Sequence, residues 1–585
     1  MLTDILCDLI KQAFIQSGYD AKYGNIVRSQ RPDLCQFQCN GAMSASKEYK
    51  KAPFMISDEV IATLKSFEGI HDIIEVIETV KPGFINITLK DSYITNHMNK
   101  LAGDSRVGCM LIENPSKIIM DYGGPNIAKP LHVGHLRSAI IGESLKRLMR
   151  FLGHEVIADT HLGDWGLQMG MILSECERRY TGLPYFDETF IGEYPTEPPF
   201  SLDDLGQIYP YVSKLSKEDE TVLAAAKEAT FKLQNGDKGY LALWQHIVDV
   251  SLNDIKINYE RLNVDFDLWY GESHSNPFVN KVVAHLEDKG VVYESEGALV
   301  VDILTSEEEQ GLPPLLLYKT DGSILYTTTD LATLYQRMED FHPDNILYVV
   351  DNRQSTHFKQ VFQCAYQNGL VPKETCLEHI GFGTMNGKDG KPFKTRDGGT
   401  IKLSELIDMV EANAREKIRD KEDLDVHAIS KQIGLATLKF ADLSNFRTKD
   451  YIFDLEKFSS FEGKTGPYLL YSYVRLKNIV KKLQELGITP SNITLPASDV
   501  ERNIFLKLNE LPEVLTLAAK DRAPSIVCEY VYELSTLVNA FYHTHHIINQ
   551  TDALQQKSWM ALCQLIINVM DICLDILGIE VPEKM

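Results

Sequence analysis

The chain has 585 residues, 44% hydrophobic and 24% charged, enough for three or four soluble domains with cores of their own. Its 82 acidic residues against 59 basic ones leave a net charge of −23, which excludes indiscriminate nucleic-acid binding but not a local basic face that takes one RNA. Ten scattered cysteines form no C-x-x-C pair, and the start Met-Leu-Thr-Asp-Ile-Leu-Cys-Asp carries acid where a secretory leader carries base. No zinc site is therefore expected, and a reduced, cytoplasmic setting is.

Residues 1–110 read as an α+β unit. Helical spacing joins Leu6, Leu9, Ile10, Ala13 and Phe14, and again Val60, Ile61 and Leu64; strand alternation follows the turn Lys81-Pro82-Gly83 through Phe84 to Leu89. Residues 111–375 read as an α/β domain on a mostly parallel, Rossmann-like sheet, with strand signals at 118–120, 155–158, 298–302 and 346–351. An acid- and aromatic-rich insertion covers about 176–270, opened by the proline-containing loop from Gly182 to Pro199. No G-x-G-x-x-G follows a strand, since Gly381 and Gly383 are followed by Asn386, so no NAD is expected.

The first strand of that domain runs into the loop Asp121 to Pro130 and then His132-Val133-Gly134-His135 at the mouth of a helix, apolar at Ile140, Ile141, Leu145, Leu148 and Leu152. Strand, tight loop and helix N-terminus make the first βα unit of a nucleotide-binding sheet. Two imidazoles three apart offer N–H donors to a nucleotide α-phosphate, aided by the helix dipole, and Gly134 leaves backbone open to adenine or ribose. The competing reading makes the two histidines helix caps. Residues 376–455 form a connecting region, a glycine-rich basic loop (Lys388 to Arg396) and then helix; residues 456–585 read as an all-α bundle, with helices near 466–486, 500–520, 523–548 and 555–578. The apolar run Leu562 to Ile579 is interrupted by Asp571 and Asp575, a core helix rather than a membrane span. Arg475, Lys477, Lys481 and Lys482 give the bundle its densest positive charge, which fits either RNA or a solvated face.

The run Asn126-Ile-Ala-Lys-Pro-Leu-His-Val-Gly-His-Leu-Arg-Ser138 resembles the ATP signature of class I aminoacyl-tRNA synthetases in its arginyl, bacterial-type form. The resemblance continues through Gly163-Asp-Trp-Gly-Leu-Gln168, Lys391 to Thr400, Asp450-Tyr-Ile-Phe-Asp454 and the final Val581-Pro-Glu-Lys-Met585, nearly end to end. It implies a catalytic domain between an N-terminal tRNA-contacting domain and a C-terminal anticodon-binding bundle, and an ATP-dependent transfer of L-arginine to tRNA(Arg) through an arginyl-adenylate. Mg²⁺ would accompany ATP, with no zinc or other metal site; the enzyme would be monomeric and free of membrane, and adenylate formation would wait for tRNA. Residues 388–396 stand where the class carries Lys-Met-Ser-Lys-Ser but depart from it, and Lys129 would supply the missing charge.

Carried over residue by residue, His132, His135, Lys129 and Lys394 are the catalytic set, and Gly134, Lys391, Thr395 and Arg396 join the histidines on ATP. A hairpin tip bearing solubilising lysines is the plain alternative for the loop. Asp121, Asn126, Tyr326, Asp330 and Gln354 match positions lining the arginine site, Asp121 and Asp330 toward the guanidinium and Asn126 toward the α-amino or carboxylate end. Singly, Asp330 also reads as a helix cap and Asp121 as a turn residue. Phe84 and Asn86 would grip a D-loop base, unless Phe84 is core and Asn86 a surface strand residue; Arg475 and Lys477 would meet the anticodon arm. Two other readings remain: an inactive RNA-binding paralogue, or a class I synthetase for another amino acid.

Overall fold

The computed structural model describes residues 2–29, 31, 34–304, 312–319, 324–391, 393, 401–419 and 425–585. It divides into two compact units, one of Met1–Met110, Tyr471–Ala518 and Glu529–Cys573, the other of Leu111–Leu470, Ala519–Cys528 and Leu574–Met585.

In the first unit an antiparallel sheet runs in the order Ile26–Arg28, Phe37–Cys39, Phe84–Leu89, Ile74–Val80. Ile85, Ile87 and Leu89 point to the core from one face of Phe84–Leu89, and the helices Leu2–Gln16 and Pro53–Lys65 pack there with Leu6, Ile10, Phe14, Val60 and Leu64 buried. Asn99 fastens this part to the helical segment, donating from Nδ2 to the Ile493 carbonyl (2.9 Å) and accepting the Ile493 N–H at Oδ1 (2.8 Å). The helix expected over 500–520 is two, Asp499–Leu508 and Leu511–Lys520. Pro512 is the reason: it has no N–H and its ring would strike the carbonyl one turn back, so it sits in the first turn of a new helix. Ala553–Ile576 is long and apolar enough to cross a membrane by length and composition, but 67% of its most apolar window is buried inside the protein, the pattern of a core helix.

The second unit holds a four-stranded, all-parallel sheet in the order Cys376–His379, Asn345–Val349, Lys117–Tyr122, Glu155–Asp159. Asp121 stands opposite Tyr348 on one side and Asp159 on the other, at the carboxyl ends where ligands bind in such sheets. Residues 298–302, expected in this sheet, belong elsewhere: Ala298–Val301 pairs antiparallel with Val292–Ser295 and Leu315–Tyr318. Glu296 and Gly297 both have positive φ (52° and 80°), the backbone of a two-residue hairpin turn that folds the chain back at once. The helix Val133–Leu152 buries Leu136, Ile140, Leu145 and Leu148 and ends at Gly153 in the left-handed region. Within the insertion lie the helices Leu202–Leu215, Glu220–Gln234 and Lys238–Arg261. Arg137, buried on the signature helix, donates from Nε to Asp442 of the helix Val426–Leu443 (2.9 Å) and from Nη1 to the Lys449 carbonyl (3.2 Å).

Candidate active site

His132 is the N-cap of Val133–Leu152, and its Nδ1 accepts the Gly134 N–H (3.0 Å) while His135 Nδ1 accepts the His132 N–H (3.1 Å). The histidines cap the helix, and capping through Nδ1 is compatible with donation from Nε2. With Nδ1 of each ring accepting, the neutral tautomer carries its proton on Nε2, so each capping ring keeps one N–H donor. The rings lie 4.0 Å apart at 34°. Burial, then the charges of its neighbours, holds His135 down at about 3; desolvation and then Lys129 lower His132 too. Both are neutral donors at pH 7. A Cβ on Gly134 would meet His132 Cε1 at 2.7 Å, so the glycine makes room for the capping ring as well as leaving backbone bare.

The segment after the basic loop is held against this signature. Val133 N–H donates to the Ile401 carbonyl (3.1 Å) and Leu403 N–H to that of Leu131 (2.9 Å). At the loop's other end Met385–Asn386 pairs with Tyr451–Ile452, Asp450 accepts the Thr384 N–H (2.6 Å), and Lys388 pairs with Asp454 (3.2 Å). The run Asp450 to Asp454 is therefore the loop's anchor. Lys391 is exposed; Lys394, Thr395 and Arg396 lie outside the described residues. Lys129, half-buried, sets its ammonium 3.8 Å from the centre of the Tyr209 ring.

Around the strand ends several acidic side chains gather. Asp330 lies in the second turn of the helix Tyr326–Phe341, whose N-cap is Leu325, so it is no cap. Its carboxylate is 2.6 Å from His357 Nε2, and the His357 ring lies 4.9 Å from that of Tyr326, which is 60% exposed. Tyr326 and Asp330 share a helix face as their spacing of four requires. Asn126 lies over Gly163, where a Cβ would come within 2.0 Å of its Oδ1; this close approach explains the glycine opening Gly163-Asp-Trp-Gly166. Gln354 is exposed just past the strand Asn345–Val349.

Two residues alter the expected picture. Asp121 is a buried strand residue, not a turn residue, and its Oδ2 accepts from Arg337 Nη2 (2.7 Å), which also donates to Asp159 Oδ2 (2.7 Å). Asp121 thus already pairs with the protein's own guanidinium, which would share its carboxylate with any substrate guanidinium. Burial would push Asp159 up, but His161 and Arg337 outweigh it and hold it low. Asp121, Asp159 and His161 could form a metal-ligand set by distance, but Arg337 lies between the carboxylates, so the cluster does not fit a dication. Sequence reasoning missed Glu272. It opens the helix Glu272–Asp288, and burial, partly offset by His161 and reinforced more weakly by the nearby Asp330 and Asp164 charges, raises its carboxyl to about 7. An acid in a first helical turn is commonplace, so nothing local marked it.

In the other unit, Phe84 and Asn86 share one strand face. Phe84 is half-buried; Asn86 is 5% exposed and its Oδ1 accepts from Gln38 Nε2 across the strand pair (2.9 Å), so it is not a surface residue. Arg475 is sandwiched between the Tyr471 and Tyr542 rings, its carbon 4.4 Å from each centre, and its nitrogens donate to the Tyr471 hydroxyl (2.6 Å) and Asn539 Oδ1 (2.8 Å). Lys477 is exposed one turn away from Tyr473.

Residues 98–455 match the family model for the catalytic domain of class I tRNA synthetases (R), residues 469–585 that of the DALR anticodon-binding domain, and residues 2–89 that of the arginyl-tRNA synthetase N-terminal domain. An arginine–tRNA ligase of Alkaliphilus oremlandii is 50% identical over 580 residues, 98% of each chain; one from Agathobacter rectalis is 48% identical over all of both. The structure of arginyl-tRNA synthetase from Plasmodium falciparum superposes with a TM-score of 0.82 at 25% identity, covering 100% of this chain and 99% of that one. That of Thermus thermophilus has the same fold, with a TM-score of 0.80 at 22% identity over all of both.

Proposed function

This chain belongs to the arginyl-tRNA synthetase family, enzymes that join arginine to tRNA with ATP, and from that premise we propose which of its residues perform the reaction. The arginine carboxylate attacks the ATP α-phosphorus and expels pyrophosphate; the terminal ribose hydroxyl of tRNA then attacks the acyl carbon and expels AMP. Neither step calls for a protein nucleophile, so catalysis is positioning and charge stabilisation. The observation that carries the assignment is the reciprocal capping of His132 and His135 through Nδ1, which leaves the proton of each neutral ring on Nε2 beside a helix N-terminus. Those donors would meet the α-phosphate as charge builds on it, with Lys129 and Lys394 supplying cations and Gly134, Lys391, Thr395 and Arg396 completing the ATP contacts. Mg²⁺ would enter on the ATP phosphates.

Asp330 and Glu272 would hold the arginine guanidinium, with Tyr326 against its alkyl stem and Asn126 and Gln354 at the α-amino and carboxylate end. Asp121 acts one step back, fixed by Arg337. On tRNA, Phe84 with Asn86 would take an unpaired base, and the half-exposed Tyr471 and Tyr542 rings about Arg475, with Lys477 nearby, form a stacking platform suited to the anticodon. We further assign the segments 1–110, 111–375, 376–455 and 456–585 as the tRNA-contacting, catalytic, connecting and anticodon-binding parts of a cytoplasmic monomer. Charging of total tRNA with each of the twenty amino acids tests the assignment: arginine alone should become acid-precipitable, and charging with another amino acid would overturn the pocket. Pyrophosphate exchange should require tRNA.

A further inference from the structure

Lys129 is held in an unusual way for a residue assigned to a phosphate. Among the described residues no carboxylate pairs with it; its neighbour is the face of Tyr209, 3.8 Å from ammonium to ring centre. Tyr209 belongs to the insertion, on the helix Leu202–Leu215. That helix is fastened along one side to the signature loop and to the segment bridged to it. Asp203 pairs with Lys402 (3.3 Å), the residue bridged to His132. Gly206, one turn on, lies close enough to Pro130 that a Cβ there would be 3.7 Å from the proline ring. Tyr209, a further turn on, reaches Lys129. The charge of Lys129 is felt by both signature histidines, so the ammonium is within electrostatic range of the place they face.

A carboxylate partner would compete with phosphate for the lysine. A ring face attracts the ammonium through its quadrupole, restricts a side chain with four rotatable bonds, and leaves the positive charge whole. We propose that Tyr209 is a positioning residue for adenylate formation, its ring face holding the Lys129 ammonium beside His132 and His135 without neutralising it. This rests on the assignment of Lys129 to the reacting phosphate.

The test is tRNA-dependent pyrophosphate exchange by the full-length enzyme carrying Tyr209→Leu, Tyr209→Phe, Lys129→Met and the Lys129→Met/Tyr209→Leu pair. Loss of the ring should lower kcat by about 3- to 10-fold, the rate equivalent of one partly desolvated cation–π contact, with KM for arginine unchanged. Tyr209→Phe, which keeps the ring, should restore the rate. Tyr209→Leu should add nothing to Lys129→Met. Should Tyr209→Leu unfold, stepwise fluorination of phenylalanine at position 209 replaces it, and the rate should fall with each fluorine at constant shape. A slow Lys129→Met beside a wild-type Tyr209→Leu, additive losses in the pair, or a rate indifferent to fluorination would overturn the role of Tyr209. A Lys129→Met enzyme at the wild-type rate would instead overturn the reading of Lys129, and the role of Tyr209 with it.

Discussion

With Glu272 on the arginine guanidinium, as proposed, arginine binding should depend on pH in a window where few side chains titrate. Its carboxyl sits at about 7 because burial disfavours its ionised form, an effect that His161 partly offsets and the nearby Asp330 and Asp164 charges reinforce more weakly. A bound guanidinium favours the ionised form, so binding is linked to loss of that proton. The sign follows: above pH 7 the site is ready, and below it each pH unit weakens binding. Between pH 8 and pH 6 the dissociation constant for arginine should rise by roughly tenfold, which is ~1.4 kcal/mol. Glu272→Gln removes one charge-assisted contact and should weaken binding at pH 8 by ~1.5–3 kcal/mol, while flattening the pH dependence. Without arginine the same substitution should stabilise the protein by about 1–3 kcal/mol at pH 8. A raised carboxyl makes the folded state progressively less stable as pH climbs from the unfolded value of 4.5 through 7. Calorimetric titration with arginine at pH 6, 7 and 8, with thermal melts alongside, reads all three. A wild-type affinity flat across that range, or a Glu272→Gln protein that keeps the slope, would refute the linkage.

Other expectations follow from the same geometry. His135→Ala should cost adenylate formation ~100- to 1000-fold, as for a lost transition-state donor, but only ~1 kcal/mol of stability as a lost cap; a rate loss no larger than the unfolding explains would reduce the residue to a cap. Because burial keeps His135 at about 3, its protonation should leave no inflection in the kcat profile between pH 6 and 9. Arg137→Met strands the buried Asp442 carboxylate and should lower resistance to urea by ~3–5 kcal/mol, with Asp442→Leu added to it restoring part of the loss. Removal of the guanidinium between two rings in Arg475→Leu should raise KM for tRNA by about tenfold, equivalent to one base-stacking contact, and leave KM for arginine alone; a change in arginine KM would count against an RNA-facing role.

Much of the catalytic unit was legible because its signals are local. An apolar strand, a turn-rich loop and a helix start follow one another within 117–152, and the parallel sheet and the helical bundle have the expected periodicities. Short-range chemistry also accounts for two departures: Glu296-Gly297 is a hairpin turn that detaches Ala298–Val301 from the main sheet, and Pro512 divides one expected helix into two. Both signals were present in the residue types.

By itself, then, the sequence determined the elements, the class of fold and the identity of the signature, since a run of three or four residues sets backbone preference and an i, i+3 spacing lets His135 reach the His132 amide. What only the tertiary structure decided is which charges are free. Asp121 meets Arg337 from 216 positions away, Asn86 meets Gln38 across a strand pair, and Glu272 gains its proton from burial beside Asp330. Desolvation and charge pairing depend on what packs alongside a group, and packing brings together residues whose separation along the chain carries no pattern.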